Sequence, residues 1–199
     1  MKSGGELGIA AARRLAELNC CEIAPGLTDA EFAAIEAEHG FEFADDHRAF
    51  LAAGLPVNTP FEPEEGVIHT WTQPWPEWRD GDPDQLRRRV DYPVVRILDE
   101  VRSGDHWNAI WGERPTSSDD AVALARRAMR DVPRLVPVYG HRFLPAGRGT
   151  SGFPVLSAWG TDIVIYGLDL ADYVDQEFGN PVRDNRFARK SIPFWWDYL

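Results

Sequence analysis

The sequence predicts an α+β fold with helices packed on a mainly antiparallel sheet. Apolar residues recur at helical spacing, with cap residues in place, in the region before Gly54. A run rich in β-branched and aromatic residues then fills Leu135–Tyr166, with connections too short for crossover helices. One more helical pattern follows, so strands neighbour strands instead of alternating with helices.

The first helix is expected from about Gly5 to Cys20, with Leu7, Ala11, Leu15 and Leu18 on one side. The second carries the clearest local signal. In Gly26-Leu27-Thr28-Asp29-Ala30-Glu31-Phe32, Thr28 and Glu31 form a capping box, and Leu27 and Phe32 take the hydrophobic-staple positions. That helix turns Phe32 and Ile35 inward and stops at Gly40. Phe41 and Phe43 lead to another cap at Asp45 or Asp46, and a short helix through Phe50 and Leu51 ends at Gly54.

From Leu55 to Ser118 the periodicity fades, and eight of the fifteen prolines lie there. A linker would be poor in aromatics, yet Trp71, Trp75, Trp78, Trp107 and Trp111 all fall in this stretch. It therefore reads as ordered, irregular chain packed on the core, with strands at Val94–Val101 and Asn108–Trp111. Ser117 or Ser118 caps a helix with Val122, Ala125, Met129 and Val132 on one face, stopped by Pro133. Strands follow at Leu135–Tyr139, Arg142–Leu144, Phe153–Trp159 and Thr161–Tyr166. Asp169 caps a final helix bearing Leu170, Tyr173, Val174 and Phe178 and closed by Gly179. The whole, residues 1–199, reads as a single domain with an N-terminal helix and a short basic-aromatic tail over 180–199.

Charge bounds the function. A formal net charge of −11 argues against a nucleic-acid or anionic-membrane partner. Leu7–Ala12 runs straight into Arg13 and Arg14, so no export signal forms, and no stretch approaches the roughly 18–20 apolar residues of a spanning helix. Cys20 and Cys21 are adjacent and make no disulfide framework, so a reducing cytoplasm is expected. Between Glu22 and Gly66, eleven acids face one base, Arg48. That excess predicts a surface for a basic protein partner, and Glu62, Glu64 and Glu65 lie beside the tryptophans. With them, Trp71, Trp75, Trp78 and Trp107 are the candidate partner-binding residues, because interface hot spots favour tryptophan. Pro74 and Pro76 keep the Trp71–Trp78 stretch from being a regular helix, and covering the core is the competing role for its rings.

The chemical motifs are thin. Gly147-Arg148-Gly149-Thr150-Ser151-Gly152 spells G-x-G-x-x-G, but a β-type run follows it where a dinucleotide site needs a helix N-terminus. It is expected to be a loop joining two strands, without nucleotide. The five histidines and two cysteines show no metal-ligand spacing, so neither a metal nor a cofactor is expected. Asp162, an acid inside a β-rich run, needs solvent or a partner; with His141 and Arg142 it is the set a hydrolase would use.

Several phrases together resemble the SUKH superfamily in its Smi/Knr-type branch. They are Gly26–Phe32, Phe43-Ala-Asp-Asp-His-Arg-Ala-Phe-Leu51, Trp75-Pro-Glu-Trp-Arg-Asp-Gly81, Trp111-Gly-Glu-Arg-Pro115, Leu135-Val-Pro-Val-Tyr-Gly-His-Arg-Phe-Leu-Pro145 and Thr161-Asp-Ile-Val-Ile-Tyr-Gly167. The resemblance implies a SUKH-like α+β fold without a catalytic centre, often one that binds and neutralises a toxin domain. It transfers no site residue. The expected function is thus that of a non-enzymatic cytoplasmic protein-binding domain, an immunity protein against a toxin. The alternatives are a regulatory or scaffold protein that binds a host factor, and a hydrolase.

Overall fold

A computed structural model describes residues 2–59, 73–180 and 187–199. Six helices and two antiparallel sheets form among them. The fold is α+β, as the sequence predicts.

Helix α1 (Gly4–Leu18) starts at a capping box, Ser3 with Glu6, and ends on Asn19 in the left-handed conformation. Strand β1 (Glu22–Ala24) precedes α2 (Asp29–His39), whose Thr28–Glu31 capping box forms as expected and which ends on Gly40 at φ 67°. Helix α3 (Asp45–Ala53) then leads to β2 (Leu55–Val57), which pairs with β1. The cap of α3 differs from expectation. Its N-cap is Ala44, without a side-chain bond, because Asp45 and Asp46 bind main-chain amides elsewhere.

The proline-rich stretch holds the largest departure. Val94–Val101 is no strand: it lies within α4 (Pro83–Ser103), a helix of 21 residues. Asn108–Trp111 likewise gives a 3₁₀ turn, Ala109–Trp111. The helical signals were present. Asp82 caps the amides of Asp84 and Gln85, and Pro83 opens the first turn, where its missing N–H costs nothing. Gly104 closes the end at φ 88°, and Leu86, Val90, Pro93, Ile97 and Val101 are buried at helical spacing. Pro93 disguises the pattern. An interior proline removes one main-chain bond and ordinarily breaks a helix; here the apolar face it shares carries the helix through.

Helix α5 (Ser118–Ala128), capped by Ser117, precedes a meander of β3 (Leu135–Tyr139), β4 (Arg142–Pro145), β5 (Val155–Trp159) and β6 (Asp162–Gly167), in that spatial order. Helix α6 (Leu170–Phe178), capped by Asp169, follows.

Side chains alternate across a strand, and the alternation splits the core in two. Val136, Val138, Leu144 and Val155 face a cluster supplied by α1, α2, α3 and α6. Leu135, Phe143, Leu156, Ala158 and Ile163 face the other way, onto Ile97, Val101, Val122 and Ala125 of α4 and α5. Helices therefore cover both faces of the sheet. The C-terminal tail belongs to the second cluster: Trp195 is fully buried and its indole Nε1 donates to the Pro133 carbonyl at 2.6 Å.

Candidate functional site

Of the residues singled out from the sequence, Glu62, Glu64, Glu65 and Trp71 lie outside the described residues. Trp75 and Trp78 do not reach the surface, each being 4% exposed. Trp75 packs edge-on to Tyr139 at 4.7 Å and stacks on Phe178 at 5.4 Å. Trp78 lies among Phe41, Phe43 and His39. They cover the core, so as contact residues these two candidates are corrected. An irregular, proline-rich chain can be fixed this firmly because its main-chain groups find side-chain partners. The Asn58 amide accepts from the Trp75 amide and donates to its carbonyl, both at 2.9 Å. The Arg89 guanidinium donates to the carbonyls of Gln73, Pro74 and Trp75. Burial holds that guanidinium down at about 10.

Trp107 is different. It is half-buried in an aromatic cap that joins the loop after α4 to the C-terminal tail. Its ring meets Trp111 edge-on at 5.3 Å, and its Nε1 donates to the Gly112 carbonyl at 2.8 Å. Trp111 stacks on Phe194 at 6.5 Å, and His106 joins Tyr198 through a 3.1 Å hydrogen bond. Ile110, on the intervening 3₁₀ turn, is 72% exposed. Nothing in the sequence marked Ile110, because exposure is set by the tertiary fold.

Five of the eight described acids of the acidic segment are ion-paired with four arginines, and two more accept main-chain amides. Glu31 meets Arg79 at 2.5 Å, and Arg79, then the Thr28 amide and hydroxyl, hold its carboxyl down at about 2. Asp29 meets Arg48 at 2.7 Å, Glu38 meets Arg87 at 2.6 Å, and Arg148 bridges Glu36 and Glu42 at 2.8 and 2.9 Å. Asp45 and Asp46 bind main-chain amides of the glycine loop, Gly149 at 2.9 Å and Gly152 at 2.7 Å. Of the eight described acids of that segment, Glu22 is the one for which no such partner is found.

Those two bonds also explain the G-x-G-x-x-G sequence. The loop joins β4 to β5, and Gly147, Gly149 and Gly152 all take positive φ. The amides that a phosphate would require are given to carboxylates of α3, whose negative charge would repel an anion. Asp46 is 1% exposed, and burial raises its carboxyl against the pull of the Gly152 and His47 amides.

Asp162 faces solvent at the start of β6. The Arg142 guanidinium is divided between Glu177 and the Ser157 hydroxyl, each at 3.0 Å, and also touches His141. It lies 3.7 Å from the centre of the Tyr166 ring. Burial, then the Arg142 charge, lowers the His141 imidazole. No group of three potential metal-binding side chains gathers among the described residues.

A groove of about 680 Å³ runs between α4 and α5. Val94, Val95, Val122 and Met129 form its apolar floor, and Arg126, Arg127, Arg130 and Arg134 stand along it. The sequence hid this feature twice. A strand was expected over Val94–Val101, and arginines late in a helix suit its dipole in any case.

No family model, no curated protein and no solved structure matches this chain.

Proposed function

We propose that this chain is a non-enzymatic protein-binding domain, an immunity-type protein in the sense the SUKH resemblance implies. The observation that supports it is the aromatic cap. A bulky aliphatic side chain, Ile110 at 72% exposure, stands beside two tryptophans held in fixed geometry. Rigid, half-buried aromatics next to exposed apolar area are the usual composition of an interface hot spot. Trp107 remains the sequence candidate that fits this role.

A basic partner has less to rest on than the charge count suggests, since seven of the eight described acids between Glu22 and Gly66 already have partners. It now depends on Glu22 and on Glu62, Glu64 and Glu65. The cytoplasmic reading draws on the two free thiols, Cys20 and Cys21, which a reducing compartment preserves. No described helix is long and apolar enough to cross a membrane. A regulatory or scaffold role differs from immunity only in the partner's identity.

The test is affinity capture from the source organism with wild type and with Ile110→Asp, followed by calorimetry on the purified partner. Ile110→Asp should weaken binding at least about tenfold, or 1.4 kcal/mol, with thermal stability nearly unchanged. A partner bound equally by both proteins would remove the cap from the interface. Hydrolytic turnover abolished by His141→Ala would favour the enzyme reading instead.

A further inference from the structure

We propose that the groove between α4 and α5 is a second docking site, which takes an acidic amphipathic helix of a partner protein. It is separate from the Ile110 cap and does not depend on it.

The floor supplies the apolar half of the argument. Val95 is 43% exposed, an open position for a β-branched side chain on a helix whose other face is core. The lining residues of α5, Asp119, Val122, Ala123, Arg126 and Arg127, recur at three- and four-residue intervals, and Arg130 follows just past the end of the helix. The α5 residues form one stripe of about 12 Å at about 1.5 Å per residue. The matching occupant is a helix with about two turns in contact. Two neighbouring helices offer a trough into which a third packs at about 8–10 Å.

Charge selects the occupant's chemistry. Arg126, Arg127 and Arg130 are exposed, and no hydrogen bond or ion pair engages their guanidiniums among the described residues. The two acids of the lining are already engaged: Asp119 meets Arg102 at 3.0 Å, and Asp91 lies 3.9 Å from Arg134. Arg134 also donates to the His39 carbonyl. Asp120 and Asp131 flank the stripe without lining it. In a chain of net charge −11, three unspent guanidiniums beside apolar floor are locally cationic. At 0.15 M salt the Debye length of about 8 Å confines what a docking helix feels to this neighbourhood. Helix-dipole complementarity accounts for arginines in the last turn of α5, but not for the apolar floor that continues beneath them. A helix with carboxylates on one flank and aliphatic residues on the other satisfies both. It would meet the guanidiniums bidentately while burying Val94 and Val95.

The test pans a phage-displayed library of random peptides, about five helical turns long, on the full chain, then measures the synthesised winners by fluorescence anisotropy. The expected winners are net acidic with aliphatic residues at i, i+4 and i+7. Their affinity should fall at least tenfold in Arg126→Glu/Arg130→Glu and in Val95→Asp, and should be unchanged in Ile110→Asp. Arg126→Ala/Arg130→Ala, which leaves the fold's buried groups untouched, should give an intermediate loss. The proposal is overturned if no peptide is enriched, if the winners lack acidic excess, or if they bind the variants as well as wild type. It is equally overturned if inorganic polyphosphate or duplex DNA binds there with the same dependence on the arginines, which would make the groove an anion site. Loss of peptide binding in Ile110→Asp alone would instead place the contact on the cap.

Discussion

Replacing His47 by leucine should reduce the acid sensitivity of the fold, and the size of the change follows from burial alone. His47 sits on α3 at 1% exposure, edge-on to Phe43 at 5.1 Å, and its Nδ1 has no hydrogen-bond partner among the described residues. Desolvation pushes the imidazole from its ordinary 6.5 down to about 3. The unfolded chain therefore takes up a proton as pH falls through about 6.5, while the folded chain refuses it until near 3. Stability is complete above the unfolded value and declines across that window at up to about 1.4 kcal/mol per pH unit. From pH 7 to pH 5 the imidazole alone costs roughly 2 kcal/mol. The neighbouring Asp46 works in the opposite sense: its raised carboxyl favours proton retention in the fold, so stability falls as pH rises from 3.8 toward its folded value. His39, His106 and His141 are lowered by burial and share the sign of His47. All four groups are present in both proteins, so comparing wild type with His47→Leu cancels them. Urea midpoints at pH 7 and pH 5 give the readout. The variant should lose about 2 kcal/mol less than wild type over that interval. An identical loss in both proteins would show that the buried ring does not carry the penalty.

Two further outcomes test the packing. A Cβ at Gly8 would lie 2.1 Å from the Asp46 carbonyl oxygen and 2.7 Å from Ala49 Cβ, so Gly8→Ala should lower stability by about 1–3 kcal/mol as α1 is forced off α3. Gly5→Ala, where a Cβ meets nothing within 4 Å, should raise it by about 0.5–1 kcal/mol; equal shifts in calorimetric Tm would refute the close approach. Trp195→Ala should cost about 3–5 kcal/mol in urea unfolding, because it empties a fully buried site and orphans the Pro133 carbonyl. A loss below about 1 kcal/mol would mean that the tail does not belong to the core.

What the sequence by itself determined is the set of features whose partners lie within a few positions. The Thr28–Glu31 capping box and the Asp169 and Ser117 caps close over spans of two to three residues, so residue identity alone predicts them. Helix α4 had local signals as well, but Pro93 outweighed them on propensity, and only burial of the apolar face around it keeps the helix continuous. The charge count says nothing of which acids are paired. Formal charge adds along the chain irrespective of pairing, whereas the field outside a protein depends on which opposite charges fold against it. Glu31 finds Arg79 48 residues away, Glu38 finds Arg87 at 49, and Glu36 finds Arg148 at 112. Tertiary structure thus ion-paired five of the eight described acids of the acidic segment. It gave two glycine-loop amides to carboxylates and brought Val95 and Arg126, from different helices, to the same groove. Each of those outcomes depends on contacts between segments far apart in sequence, which composition and periodicity do not encode.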